Sequence, residues 1–432
     1  MLMINWISQI AGVYANKQIL LISFLGFMSG LPLLLTSSTL SVWLSEEGVT
    51  KATIGAFGLV ALPYTFKFLW APFFDYIKIP FLTKLLGRRR SFMMLMQILL
   101  AASLLALGFI NPRAYPFLVA LFALCVSFFS ASQDIIIDAY RVEILHEKNY
   151  GAGAASVVFG YRIGMLVAGA GALYLAEVVS WNSVYFTMAF LVLLGMIICL
   201  FCDEPAQNLY PQAPSTNSLM RKSLRAPLFE FIKNKHWIAV FLVILFYKLG
   251  DAFLTSMSNV FFLESGFSKV EIANVAKVFG LISTLAGGFI AGIMSSRLGI
   301  MRSMLMCGVI HIVANFIFVI QAYVGYSVPM LICTIAIENV TSGMTGVALV
   351  AYISSLCRGA NTATQYALLS SIIAFGRTVL TSFSGLIATN LGWSLYFVFT
   401  SLIALPALII LFWLLRSEEQ RPQQKNLDPV QA

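Results

Sequence analysis

Long apolar stretches separated by short polar breaks run along almost the whole chain. Their lengths predict helices near 18–44, 52–75, 91–110, 115–140, 152–177, 182–202, 236–262, 271–295, 301–323, 328–356, 362–389 and 394–415. At about 1.5 Å per residue, each can cross a hydrocarbon layer about 30 Å thick. The longest polar break, 203–235, holds Pro205, Pro211, Pro214 and Pro227 among Ser, Asn and Gln, which is linker composition. The pattern predicts an all-α polytopic membrane protein with twelve transmembrane helices in two six-helix halves. These are residues 1–202, a linker 203–235, residues 236–416 and a polar tail 417–432.

An offset of about 215 residues aligns the two halves. EEGVTKATI from Glu46 to Ile54 matches ESGFSKVEI from Glu264 to Ile272. Trp181, Tyr185 and Phe186 are echoed by Trp393, Tyr396 and Phe397 at the start of each sixth helix. FSASQDIIIDAY, ending at Tyr140, overlays TSGMTGVALVAY, ending at Tyr352, and Arg162 in FGYR corresponds to Arg377 in FGR. Their shared order points to a duplicated unit.

Composition agrees with a membrane location: 59% of residues are hydrophobic and 10% charged, against about 25% charged in soluble domains. The net charge of +9 comes from the loops of one face. Lys17, Lys78, Lys84, Arg88, Arg89, Arg90, Arg141, Lys148, the linker, Arg297, Arg302, Arg358 and the tail carry it, while the other face has Lys51, Arg113 and Lys269. The positive-inside rule then predicts cytoplasmic termini and an even number of crossings. The first apolar run is a full span rather than a cleavable signal.

Nine charged residues nevertheless sit at membrane depth: Lys67, Asp134, Asp138, Arg162, Lys248, Asp251, Lys277, Glu338 and Arg377. A charge facing lipid costs on the order of 2.5 to 3.5 kcal/mol even on insertion scales, so these residues are expected to line a bundle interior or watery cavity. Five cations against four anions leave that interior positive once an acid is protonated, which suits an anionic substrate carried with protons.

The fourth predicted helix places Asp134 and Asp138 at i,i+4 on one face, with Arg141 a turn beyond. Asp138 and Arg141 are expected to form a cytoplasmic gate with Asp75, Arg88, Arg89 and Arg90. Asp134, about 6 Å deeper, is expected to take the coupling proton, with Asp251 and Glu338 as the other candidates. Arg162 is placed either to neutralise Asp134 or to hold a carboxylate or phosphate bidentately. Lys248 and Asp251 either pair with each other simply to permit insertion or serve the path. The candidate substrate contacts are Arg162, Lys248, Lys277, Arg377, Gln133, Tyr161 and Lys67, with Tyr161, Tyr64 and Phe66 available to stack on sugar rings.

Gly160, Gly164, Gly169 and Gly171, and later Gly280, Gly287, Gly288 and Gly292, predict close helix packing. Trp43, Trp70, Trp181, Trp237, Trp393 and Trp413 are expected at the membrane interfaces. Cys199 and Cys202 form a CxxC without a second pair, and His146, His236 and His311 are scattered. No metal, no cofactor beyond a proton gradient and no enzymatic constellation is expected.

The two-half arrangement, with Asp75 followed by GRRR from Gly87 to Arg90, resembles the major facilitator superfamily. LGFMSGLPLLLTSSTLSVWL from Leu25, FKFLWAPFFD from Phe66, SASQDIIIDAYR from Ser130, GAGAASVVFGYRIGML from Gly151, YKLGDAF from Tyr247, ENVTSGMTGVALVAY from Glu338 and ATQYALLSSIIAFGR from Ala363 resemble the AmpG muropeptide permeases. The resemblance implies an inner-membrane importer of anhydro-muropeptides (GlcNAc-anhydroMurNAc peptides), driven by proton symport, for peptidoglycan recycling. A same-fold transporter of another anion, an acyl-CoA or sugar phosphate, and a non-transporting muropeptide sensor are the alternatives. The expected partners are the anionic glycopeptide, protons and the lipid bilayer, with no nucleic acid, and the unit is expected to be monomeric.

Overall fold

The computed structural model describes residues 14, 16–50, 53–54, 57–205, 236–275, 279–357 and 361–425. Ten helical runs within them are long and apolar enough to cross a membrane. In chain order the helices are α1 (Lys17–Glu46), α2 (Phe57–Leu69), α3 (Arg88–Phe109), α4 (Pro116–Ile144), α5 (Glu147–Ala176), α6 (Trp181–Phe201), α7 (Trp237–Glu264), α8 (Leu281–Leu298), α9 (Ile300–Val324), α10 (Val328–Leu356), α11 (Thr362–Val379), α12 (Ser384–Leu402) and α13 (Leu405–Lys425). The shorter α2 lies where the second crossing is expected. It is split into short turns with Pro63 near the start of one, and Pro72 opens the Ala71–Tyr76 helix that follows. Proline lacks the N–H that would continue the ladder. The 56-residue run Thr362–Ser417 has the length of two crossings and turns at Gly392, whose φ of 73° favours glycine. The twelve expected crossings thus each find a helix.

The described residues form two compact units, drawn from Met1–Glu230 with Leu356–Ser371 and from Phe231–Ser355 with Ile372–Ala432. The expected linker lies outside the described residues except for its first three. The stretch Leu356–Ser371, expected with the second half, belongs to the first unit, whose Asp75 and Arg141 bind it.

Each unit repeats the same framing contacts at equivalent positions. In the first, Trp181 Nε1 donates to Glu46 at 2.7 Å and Tyr185 donates its hydroxyl hydrogen to the Leu35 carbonyl at 2.8 Å. In the second, Trp393 Nε1 donates to Glu264 at 2.8 Å and Tyr396 to the Phe253 carbonyl at 2.7 Å. Trp43 stacks on Trp181 with centroids 6.0 Å apart, and the two are 1% and 8% exposed. They are buried inside the unit rather than exposed as an interface belt would be: each ring covers the other's apolar face, and Glu46 takes the Trp181 N–H. Trp413, half exposed, keeps a surface position.

Close packing joins α1 to α5. A Cβ built on Gly160 would overlap the Ser23 carbonyl and one on Gly164 the Phe27 carbonyl, while Gly26 and Gly30 of α1 face Val157 and Tyr161 in the same way. In the second unit Gly287 of α8 meets Val340, and Gly343 of α10 meets Thr284. Small residues at these crossings let the backbones touch.

Candidate functional site

The first unit carries a ladder of charge along α4. Ser29 of α1 donates to Asp134 Oδ1. Lys67, 8% exposed, places Nζ 3.9 Å from Asp138 Oδ2 and acts electrostatically on Asp134. Arg141, buried, donates to Asp138 Oδ1 at 3.3 Å and to the Tyr366 hydroxyl at 2.9 Å, with its guanidinium carbon 5.3 Å from that ring's centroid. Gln133 is fully buried, and its amide oxygen and nitrogen have no hydrogen-bond partner among the described residues. A buried amide with no partner is costly in a closed core.

The expected neutralisation of Asp134 by Arg162 is not what the structure forms. Arg162 is exposed and makes no ion pair among the described residues. The glycine face of α5 packs on α1, and two residues beyond Gly160 a helix has turned by roughly 200°, so Arg162 points away. Lys67 supplies the positive charge instead.

A second cluster of the first unit joins the start of α3 to the start of α11. Arg89 and Asp75 are fully buried. Arg89 Nη2 lies 2.9 Å from Asp75 Oδ1, and Arg89 Nε donates to Glu143 Oε2 at 2.9 Å. Asp75 also accepts from the backbone N–H of Thr364 at 2.8 Å, its hydroxyl at 2.7 Å, and the N–H of Ala363 at 3.3 Å. A carboxylate there satisfies otherwise unpaired N–H groups at a helix N-terminus and complements its dipole. Tyr76 donates to Asn361 Oδ1 at 2.7 Å beside it. Of the three arginines expected to meet Asp75, only Arg89 bonds to it; Arg88 donates to the Phe74 carbonyl, and Arg90 to those of Cys199 and Leu200. Glu204 accepts from the backbone N–H of Arg89 at 2.8 Å, holding the first turn of α3.

In the second unit Lys248 sits at a break in α7, where the helix stops at Tyr247 and restarts at Leu249. Its ammonium donates to Asp251 Oδ2 at 3.0 Å, the Ser342 carbonyl at 2.9 Å and the Ser342 hydroxyl at 2.9 Å. An ammonium has three donors, and these three contacts use them, so the pairing of Lys248 with Asp251 is formed here. Asp251 Oδ1 lies 3.7 Å from His311 Nε2 on α9. His311, 3% exposed, also meets Thr341 Oγ1 at 2.9 Å and Asn315 Nδ2 at 3.1 Å. Arg377 is exposed and makes no ion pair among the described residues, Glu338 and Tyr161 are half-buried, and Lys277 lies outside the described residues.

Sequence reasoning missed Glu143, Glu204, His311, Asn315, Thr364 and Tyr366. Glu143 had a usable signal, since a glutamate five residues after Asp138 faces a run of three arginines that must find partners. For His311 the i,i+4 neighbour Asn315 was the one local signal, because its other partners, Asp251 and Thr341, lie on α7 and α10.

The sequence matches the Major Facilitator Superfamily over residues 21–379 and again over 250–431. It is 37% identical over 407 residues to the anhydromuropeptide permease of Escherichia coli (strain K12), covering 94% of this chain and 81% of that one. It is 35% identical over 408 residues to the chain named AmpG 1 in Rickettsia bellii, covering 92% of this chain and 98% of that one. In fold it is similar to the transporter FucP in the outward conformation, with a TM-score of 0.71, 16% identity, and 93% and 99% of the two chains covered.

Proposed function

The chain belongs to the Major Facilitator Superfamily and, within it, to the AmpG permease family of multi-pass membrane transporters, and on that premise we propose that it imports anhydro-muropeptides across the bacterial inner membrane with protons. In this reading both termini are cytoplasmic, no cofactor besides the proton gradient is used, and the imported fragments feed peptidoglycan recycling. The name of the Escherichia coli relative supports the substrate class.

The observation that carries the coupled-transport reading is the ladder of Ser29, Asp134, Lys67, Asp138 and Arg141 along membrane-spanning α4. Charges are kept at such depth where they serve a pathway. A proton on Asp134 removes one of the two carboxylate charges near Lys67, which then has more attraction for an incoming carboxylate. Arg162 and Arg377, exposed and without an ion-pair partner among the described residues, are the other proposed carboxylate ligands, with Gln133 and Tyr161 beside the path. Lys277 keeps its proposed role from the sequence alone, and Glu338 remains a proposed proton carrier.

The cluster of Asp75, Arg89, Glu143 and Thr364, with Arg141 and Tyr366, is the proposed cytoplasmic latch. It opens when Leu356–Ser371 leaves Asp75 and Arg141. The substrate class is tested by counterflow in proteoliposomes: unlabelled anhydro-muropeptide inside should drive uptake of labelled anhydro-muropeptide. Acyl-CoA or sugar phosphate should neither drive it nor compete, and competition by either would transfer the assignment to that anion.

A further inference from the structure

The second unit holds a polar network that the roles above do not use: Lys248, Asp251, His311, Asn315, Thr341 and Ser342. Its hydrogen bonds suit one tautomer of the imidazole. Thr341 Oγ1 lies 3.1 Å from the carbonyls of both Ile337 and Glu338 one turn back, which can take its single hydrogen. Thr341 then accepts from His311, in the tautomer whose proton sits on Nδ1. Nε2 is left with its lone pair, taking the Asn315 amide N–H at 3.1 Å.

That lone pair faces an unused acceptor. Asp251 Oδ1 is 3.7 Å away and, like Asn315 Oδ1, is buried without a hydrogen bond among the described residues. A proton added at Nε2 would turn the lone pair into a donor for Asp251 Oδ1, and rotation of the Asn315 amide would bring its Oδ1 to the same hydrogen. Two orphaned acceptors gain a partner from one proton, and the one hydrogen bond given up is that from the Asn315 amide N–H to Nε2. The charged groups acting on His311 are Asp251 and Lys248, both of α7. Of the elements packed on α9, α10 offers the Thr341 hydroxyl, and α8, α12 and α13 offer no charged group acting on it among the described residues.

We propose that His311 is a proton-carrying residue of the transport cycle, loaded at Nε2 against Asp251 and read out by Lys248. With His311 neutral, Asp251 serves Lys248 and the Ser342 hydroxyl, and Lys248 ties the break in α7 to Ser342 of α10. With His311 charged, the carboxylate is shared, its hold on Lys248 weakens and the tie between α7 and α10 loosens. The device lies at a helix break in α7 and one turn before another in α9, after Asn315. Broken helices at membrane depth mark moving, ion-binding parts of transporters.

The inference rests on proton-coupled transport, and the test separates the two. Wild-type protein and His311→Gln are reconstituted in liposomes and assayed for accumulation under an imposed proton gradient and for counterflow at one pH on both sides. Wild type should accumulate anhydro-muropeptide; if it does not, the coupled reading itself fails. His311→Gln should lose accumulation and keep counterflow, and accumulation equal to wild type overturns the role of His311. Should that variant not fold, the double variant His146→Gln/His236→Gln leaves a single imidazole for nitrogen-15 NMR. Its Nε2 should gain a proton as pH is lowered from about 8 to 5, with substrate present or absent. An imidazole of unchanged protonation across that range in both conditions overturns the proposal.

Discussion

Asp134 and Asp138 share a face of α4 four residues apart, yet their surroundings differ. Asp134 has a serine hydroxyl and a lysine acting at a distance, whereas Asp138 lies between Lys67 and Arg141. A carboxylate held by two cations is a poor proton carrier, and the less encumbered one is better suited. Asp134→Asn keeps the shape and the acceptor for Ser29 but cannot exchange a proton. It should abolish concentrative uptake while leaving counterflow and the amount of protein in the membrane near wild type. Glu143 presents the opposite case, a purely holding carboxylate. Arg89 is fully buried between Asp75 and Glu143, and breaking a buried ion pair costs on the order of 3 kcal/mol or more. Glu143→Gln should therefore lower the unfolding temperature of the purified protein, and an unchanged melting curve would show that Asp75 alone suffices. The i,i+4 pair on α4 was legible because helical periodicity is local. The contacts of Arg89 with Glu143 and of His311 with Asp251 and Thr341 were not, because they join helices whose mutual rotation no short-range pattern encodes.

At the scale of elements, spans and glycine faces were legible, and breaks only in part. Pro63 and Pro72 account for the fragmentation of α2. The stop at Lys248 follows no proline or glycine at that position; it coincides with the three hydrogen bonds that the Lys248 ammonium makes to Asp251 and Ser342. That is tertiary chemistry overriding an unbroken apolar run. The pairing of α5 with α1 rests on glycines at van der Waals limits. In Gly160→Leu the side chain must displace the Ser23 backbone rather than a flexible tip, and overpacking of this kind costs on the order of 1 to 3 kcal/mol or more. Lower thermal stability or loss of folded protein is expected, measured by size-exclusion chromatography against temperature. Gly48, at φ 75° with open space around it, should not show that steric effect on replacement, because its constraint is conformational.

Across the whole molecule, duplication preserved the frame and let the chemistry diverge. The Trp–Glu and Tyr–carbonyl contacts recur in both units, while the α4 acids are matched in α10 by Gly346 and Val350. The second unit has its own acid on α7 and its own imidazole on α9. Titratable groups are thus placed in each unit by different means, and the proposed coupling draws on both units. The most direct measurement is uptake of labelled anhydro-muropeptide by proteoliposomes holding the purified full-length protein, with and without an inward proton gradient. Accumulation above the external concentration with the gradient, falling to equilibration when a protonophore collapses it, is the predicted result. Equal uptake in both conditions would contradict proton coupling, and no uptake by demonstrably folded protein would contradict the substrate.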